Sequence, residues 1–296
     1  MYKNIAANKR NTVLVMLGFI FLIAAIGGAF AYYYQDWSIA FVVLFIATIY
    51  ALFQYFAASK LAVTMTGAKK IEKKDNPRLY NAVENLTLTA GLPMPEVYII
   101  NDPAPNAFAA GRDPEHALVC ATTGLLDIMD DKELTAVMAH EVSHVKNYDI
   151  RVSTIVFGLV CLVGFLADIG WRMHYYNGRR SSRSGDSSSP VGFLIILVTS
   201  ILAPIAASLA QMAVSREREY LADSSAALLT RYPEGMISAL KKLEAHSRPM
   251  KQQNPATEAM FIANPLKHKK SLTNLFSTHP PIEKRIERLE NGKTKF

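Results

Sequence analysis

The sequence predicts a mainly α-helical integral membrane protein, with about four transmembrane helices and an α+β portion that carries a small sheet. Three observations support this. Four long apolar runs punctuate the chain. Short β-branched and aromatic segments cluster between residues 96 and 122. Amphipathic helical spacing fills much of the rest. Four segments follow: 1–59, an N-terminal hairpin; 60–151, the first half of a water-exposed domain; 152–214, a second apolar hairpin; 215–296, the second half.

The first run, Val13 to Tyr34, has no charged residue, and Lys3, Lys9 and Arg10 precede it. As a helix it reaches roughly 33 Å, enough to span. Ala29-Phe30-Ala31 mimics a signal-peptide cleavage site, but the second run, Ser38 to Ser59, follows almost at once and argues against that. Tyr32, Tyr33, Tyr34 and Trp37 stand where an aromatic belt would, around the turn Gln35-Asp36. Lysines lie before the first run and after the second (Lys60, Lys69, Lys70, Lys73, Lys74), so the positive-inside rule puts both ends in the cytoplasm. The third run, Val152 to Gly170, carries Asp168, and the fourth, Val191 to Val214, contains Pro204 and Gln211. The Arg-rich loop between them opposes an outside location, so a hairpin packed in the interface or on the domain is the alternative to two full spans.

Asn76 to Ala90 reads as an amphipathic helix with Leu79, Ala82, Val83, Leu86 and Leu88 on its apolar face. Glu96 to Asn101 reads as a strand. Asn106 to Ala110 and Ala117 to Thr122 read as two more strands, joined at Gly111 to Pro114. The next helix starts near Asp130, which with Glu133 makes a capping box. Its buried stripe is Leu134, Val137, Met138, Val142 and Val145. Later helices are expected over Ser215 to Leu229, over Met236 to Ala245, and from Pro280 with Ile282, Ile286 and Leu289 on one face. Ser247 to Phe276 reads as a loop or lid.

Charged residues are 19% of the chain, fewer than in an ordinary soluble domain, and the apolar runs account for the shortfall. The net charge is +7, but the basic residues flank apolar runs, which favours anionic lipid over nucleic acid. The two cysteines, Cys120 and Cys161, form no Cys-x-x-Cys pair, so a thiolate metal site is excluded. Any metal chemistry must come from His and carboxylates.

Such a cluster exists. In His140-Glu141-Val142-Ser143-His144 the histidines are four apart, so both imidazoles project from one face of a helix, one turn apart. Two nitrogens can then reach one ion, with Glu141 beside the first ligand to hold a water. This is the His-Glu-x-x-His zinc pattern. A catalytic zinc needs a third protein ligand and an open position. Downstream, Glu217 and Glu219 are candidates. Glu219 shares a helix face with Asp223, and Glu217 points about 200° away. We therefore assign Glu219 as ligand and Asp223 as acceptor for a ligand histidine's other N–H.

Together HEVSH, REREYLAD after two apolar runs, and STHPPIEKRIERL resemble the HtpX-type membrane zinc metalloproteases and, more distantly, the CAAX prenyl protease. The resemblance covers nearly the whole chain, including PNAFAAG. It implies a zincin-like catalytic domain in the cytoplasm of a multi-pass bacterial cell-membrane protein. It implies one Zn²⁺ held by His140, His144 and Glu219, with Glu141 as general base. It brings His279 and Arg285 to the active site, where a positive group would steady the oxyanion. Partners would be membrane lipids and polypeptide substrates, above all misfolded or surplus membrane proteins, and no nucleic acid. A substrate would lie extended along a sheet edge at Asn106, Ala107 and Phe108. A transporter lacks its expected intramembrane charge pairs here. A structural zinc site would not need Glu141. The chain carries no signal for an oligomeric state.

Overall fold

The computed structural model describes residues 2–162, 172, 216–252, 257, 260–264 and 280–292. Helix α1 (Tyr2–Tyr34) and helix α2 (Ser38–Thr66) form the N-terminal hairpin around a turn at Gln35 to Trp37. Both are longer than their apolar runs. α2 continues two turns past Ser59 and ends where Gly67, at φ 66°, takes the left-handed conformation that a Cβ disfavours. The stretches Ile5–Ala25 and Ala40–Thr66 are long and apolar enough to cross a membrane, and only 22% and 17% of their most apolar windows are buried. A core helix of a soluble protein would be mostly covered; here Phe21, Phe41, Phe45 and Phe53 are exposed.

Next come strand β1 (Lys69–Lys70), helix α3 (Pro77–Ala90), and strands β2 (Glu96–Ile100), β3 (Ala107–Gly111) and β4 (Ala117–Thr122). The sheet order is β1-β2-β4-β3, with β2 and β4 parallel and the other pairs antiparallel. β1 was not legible: two exposed lysines carry no alternation, and backbone pairing with Tyr98 and Ile99 alone makes it a strand. α3 has Asn76 as its N-cap. Leu88 is a correction. It is 73% exposed, and Thr87 is buried in its place, its hydroxyl bonded to the Val83 carbonyl one turn back.

β3 and β4 are buried along their whole length. Ala107, Ala109, Val119 and Ala121 face one core, and Phe108, Ala110, Leu118 and Cys120 face another. Small residues on the first face let a helix approach closely. After α4 (Thr123–Ile128), that helix is α5 (Asp131–Lys146). A helix α6 begins at residue 149 and is described to residue 162, the start of the third apolar run. It packs Val152, Ile155, Val156 and Leu159 against Val15 and Phe19 of α1. It meets α2 at Gly158, whose carbonyl accepts from the Tyr50 hydroxyl at 3.0 Å. A Cβ at 158 would stand 2.0 Å from the Gln54 Oε1, so a side chain there would have to displace the Gln54 amide. The rest of the third run, the fourth run and most of Ser247 to Phe276 lie outside the described residues.

The chain is described again in α7 (Arg216–Thr230), α8 (Pro233–Ala245) and α9 (Ile282–Gly292). Their apolar faces join α3, α5 and the sheet in one core that runs from Leu79 to Leu289. The two expected half-domains therefore share a single hydrophobic interior.

Candidate metal centre

α5 carries the cluster, and its start is firmly fixed. The Asp130 carboxylate accepts from the Lys132 and Glu133 N–H groups at 2.9 Å each, and Glu133 accepts from the Asp130 N–H at 2.8 Å. Ser238 and Lys242 of α8 then hold Glu133, each at 2.6 Å. All five residues of the expected stripe are buried. With that stripe in the core, His140 and His144 turn toward α7.

The two rings lie 4.7 Å apart and nearly perpendicular, and their Nε2 atoms are 3.2 Å apart. Glu219 enters from α7. Its Oε2 lies 3.6 Å from His140 Nε2 and its Oε1 3.5 Å from His144 Nε2. One donor atom from each of the three lies within 4.8 Å of the others. His140 and Glu219 are buried. A buried carboxylate facing two imidazole nitrogens calls for a cation, and two nitrogens with one oxygen is a donor set that zinc accepts. Glu217, by contrast, is solvated and meets Arg288 at 3.6 Å.

Behind each imidazole stands a carboxylate. His140 Nδ1 is 3.0 Å from Asp223 Oδ1, and His144 Nδ1 is 3.0 Å from Asp149 Oδ2. With both Nδ1 protons given to carboxylates, both Nε2 lone pairs face the same point. Arg285 of α9 grips Asp223 with a fork, Nε to Oδ2 at 2.8 Å and Nη2 to Oδ1 at 2.6 Å. Arg285 is 1% exposed, so its charge is directed inward, behind His140. Asp149 was missed in the sequence. The available signal was an acidic residue just past the helix end, five positions after His144. His279 lies outside the described residues.

Burial alone would lower the His140 pKa, but hydrogen bonds to Asp223 and Glu219 outweigh it and hold the metal-free group at about 9. Burial pushes the Glu141 carboxyl up, against the opposing pull of His140 and His144. Burial would also raise Asp223, yet the Arg285 charge holds it below the usual carboxylate range.

Asn106, Ala107 and Phe108 sit at the start of the edge strand β3, which packs on α5. Part of this edge is already paired. The Ile262 N–H bonds to the Ala107 carbonyl at 2.9 Å, and Phe261 bridges Phe108 in antiparallel fashion. The Asn106 side chain takes both polar groups of Ala263, at 2.8 and 3.1 Å.

Comparison with known proteins agrees with this geometry. The model of peptidase family M48 matches residues 73–293. The chain is 54% identical over 297 residues to a "Protease HtpX homolog" of Tropheryma whipplei (strain Twist), covering all of both chains. It is 46% identical over 295 residues to a "Protease HtpX homolog" of Ligilactobacillus salivarius (strain UCC118), covering 98% of this chain and 99% of that one. Among solved structures it is similar in fold to S. mikatae Ste24p, with a TM-score of 0.50 and 18% identity, over 98% of this chain and 67% of that one.

Proposed function

This chain belongs to peptidase family M48, among the HtpX-type proteases, and on that premise we propose that it cleaves misfolded or surplus membrane proteins at the cytoplasmic face of a bacterial cell membrane. The observation that carries the chemistry is the convergence of His140 Nε2, His144 Nε2 and the Glu219 carboxylate beside buried Glu141.

Bound there, zinc supplies Lewis acidity, which makes water a nucleophile at neutral pH and polarises the scissile carbonyl. Glu141 takes the proton from the attacking water and hands it to the leaving amine. Its raised pKa suits both transfers, because a carboxyl with a pKa nearer neutrality accepts and releases a proton more readily there. Asp223 and Asp149 hold the ligand rings in the tautomer that presents Nε2. Arg285 is a positioning residue in this account, since its fork is committed to Asp223, and His279 is the candidate left for the oxyanion. A peptide lies antiparallel to β3 at Asn106, Ala107 and Phe108, by extending or displacing the pairing that residues 261–263 now make. Backbone pairing ignores side chains, which suits broad specificity.

The membrane reading rests on the two exposed apolar helices and on the lysines at their common end. The test places the protein in vesicles with a tagged membrane protein, either folded or destabilised by mutation. Zinc-dependent fragments from the destabilised partner are expected. Equal cleavage of both partners sinks the quality-control role; cleavage of added casein alone moves the substrate class to soluble chains.

A further inference from the structure

We propose that Asn8, on the first membrane helix, is a positioning residue of the metal centre, acting through Asp149 on His144. The inference rests on the reading of His144 as a zinc ligand. Asn8 is 4% exposed, although it lies among the lysines and arginine that mark the cytoplasmic end of α1. Its side-chain amide donates to Asp149 Oδ1 at 2.7 Å and to the Asn147 carbonyl at 2.9 Å. The other Asp149 oxygen, Oδ2, faces His144 Nδ1 at 3.0 Å. One neutral amide thus closes the turn after α5 and fixes the carboxylate that orients a ligand 136 positions further along the chain (144 − 8).

The turn needs such a hold. Tyr148 sits at φ 61°, a left-handed conformation that a side chain disfavours. Its ring lies under Lys9 of α1, at 4.5 Å, and under Arg151, at 5.0 Å. α1 therefore grips the turn twice, at Asn8 and at Lys9. Among the described residues, Arg218 of α7 is a further charged neighbour of Asp149, with Nη1 3.7 Å from Oδ1. Without the Asn8 amide, Arg218 can draw the carboxylate toward itself, and the imidazole loses its fixed orientation. Metal affinity then depends on α1 being docked against the turn, which makes the membrane helix part of the scaffold of the site.

The experiment uses the full-length protein in detergent and measures zinc affinity by competition with a chromophoric chelator. The visible spectrum of the cobalt-loaded form is recorded alongside. Asn8→Leu is expected to weaken zinc by roughly 10-fold, the lower end of the range for groups that orient a ligand, and to alter the cobalt spectrum. Asn8→Asp keeps the shape without the donor and should do the same, so the test survives if Asn8→Leu does not fold. In an Asp149→Ala background either change should add nothing. Thr12→Val removes a buried hydroxyl that bonds the Asn8 carbonyl within α1, and it should leave affinity and spectrum unchanged. Wild-type affinity in both Asn8 variants overturns the proposal. So does a full effect without Asp149, or an equal loss in Thr12→Val. A wild type that binds no zinc overturns the metal reading beneath it.

Discussion

His140 and His144 stand one turn apart on one helix, yet the chain backs them with different chemistry. Behind His140 is an ion pair: Asp223 forked by Arg285, both almost without solvent, supplied by α7 and α9. Behind His144 is Asp149, hydrogen-bonded at 2.7 Å by the neutral amide of Asn8 from α1, with the Arg218 charge further off at 3.7 Å. A buried ion pair is rigid, and breaking one half leaves an uncompensated charge. A neutral amide is cheaper to lose, and it ties the ligand to whatever carries the amide. The pair of supports makes one ligand depend on the folding of the catalytic domain and the other on the seating of a membrane helix.

The largest expected effect comes from breaking the charged side. Arg285→Met strips buried Asp223 of its arginine fork and leaves it His140 alone among the described residues, so stability in detergent should fall by about 3–5 kcal/mol, read from thermal unfolding. A loss like that of a surface arginine would show that the fork is not what holds Asp223. Next come the two carboxylates. Asp223→Asn and Asp149→Asn should each weaken zinc by roughly 10–100-fold, but Asp223→Asn should cost more stability, because Arg285 is forked to Asp223 by two hydrogen bonds while Arg218 stands 3.7 Å from Asp149. Equal stability in the two variants would erase the contrast.

Proton competition sharpens it further. His140 keeps its extra proton up to about pH 9 in the metal-free protein, because Asp223 and Glu219 outweigh the effect of burial. Zinc must displace that proton, so affinity should fall as pH drops below about 9 and level off above it. In Asp223→Asn the His140 pKa falls, and the decline should begin at a lower pH. A chelator titration over a pH range that brackets 9 reads both curves. The smallest effect is Lys9→Ala. Losing one cation over Tyr148 should cost about 0.5–1 kcal/mol of stability and barely change zinc affinity.

The same contrast explains what the sequence disclosed. The His140 side was legible because its geometry is local to helices. The capping box at Asp130 sets where α5 starts, four-residue spacing aligns His140 with His144, and the same spacing pairs Glu219 with Asp223. The His144 side was hidden. Asp149 comes to His144 only because Tyr148 reverses the chain, and Asn8 looks like one more polar residue at the end of a span. Nothing in a linear pattern marks that meeting. Leu88 misled for a related reason: it was read by its chemistry, while its position on α3 points it at solvent. β1 was missed because pairing with β2, and no side-chain pattern, defines it.

The most direct test of the central claim is cleavage of casein by the detergent-purified protein, wild type against Glu141→Gln, with zinc content measured on both. The expected result is one zinc per chain in each, with cleavage that a chelator abolishes and added zinc restores in the wild type alone. The variant should be slower by roughly 10²–10⁴-fold, the usual contribution of a general base. Undiminished cleavage by Glu141→Gln, or wild-type cleavage indifferent to the chelator, would contradict a zinc peptidase built on this helix.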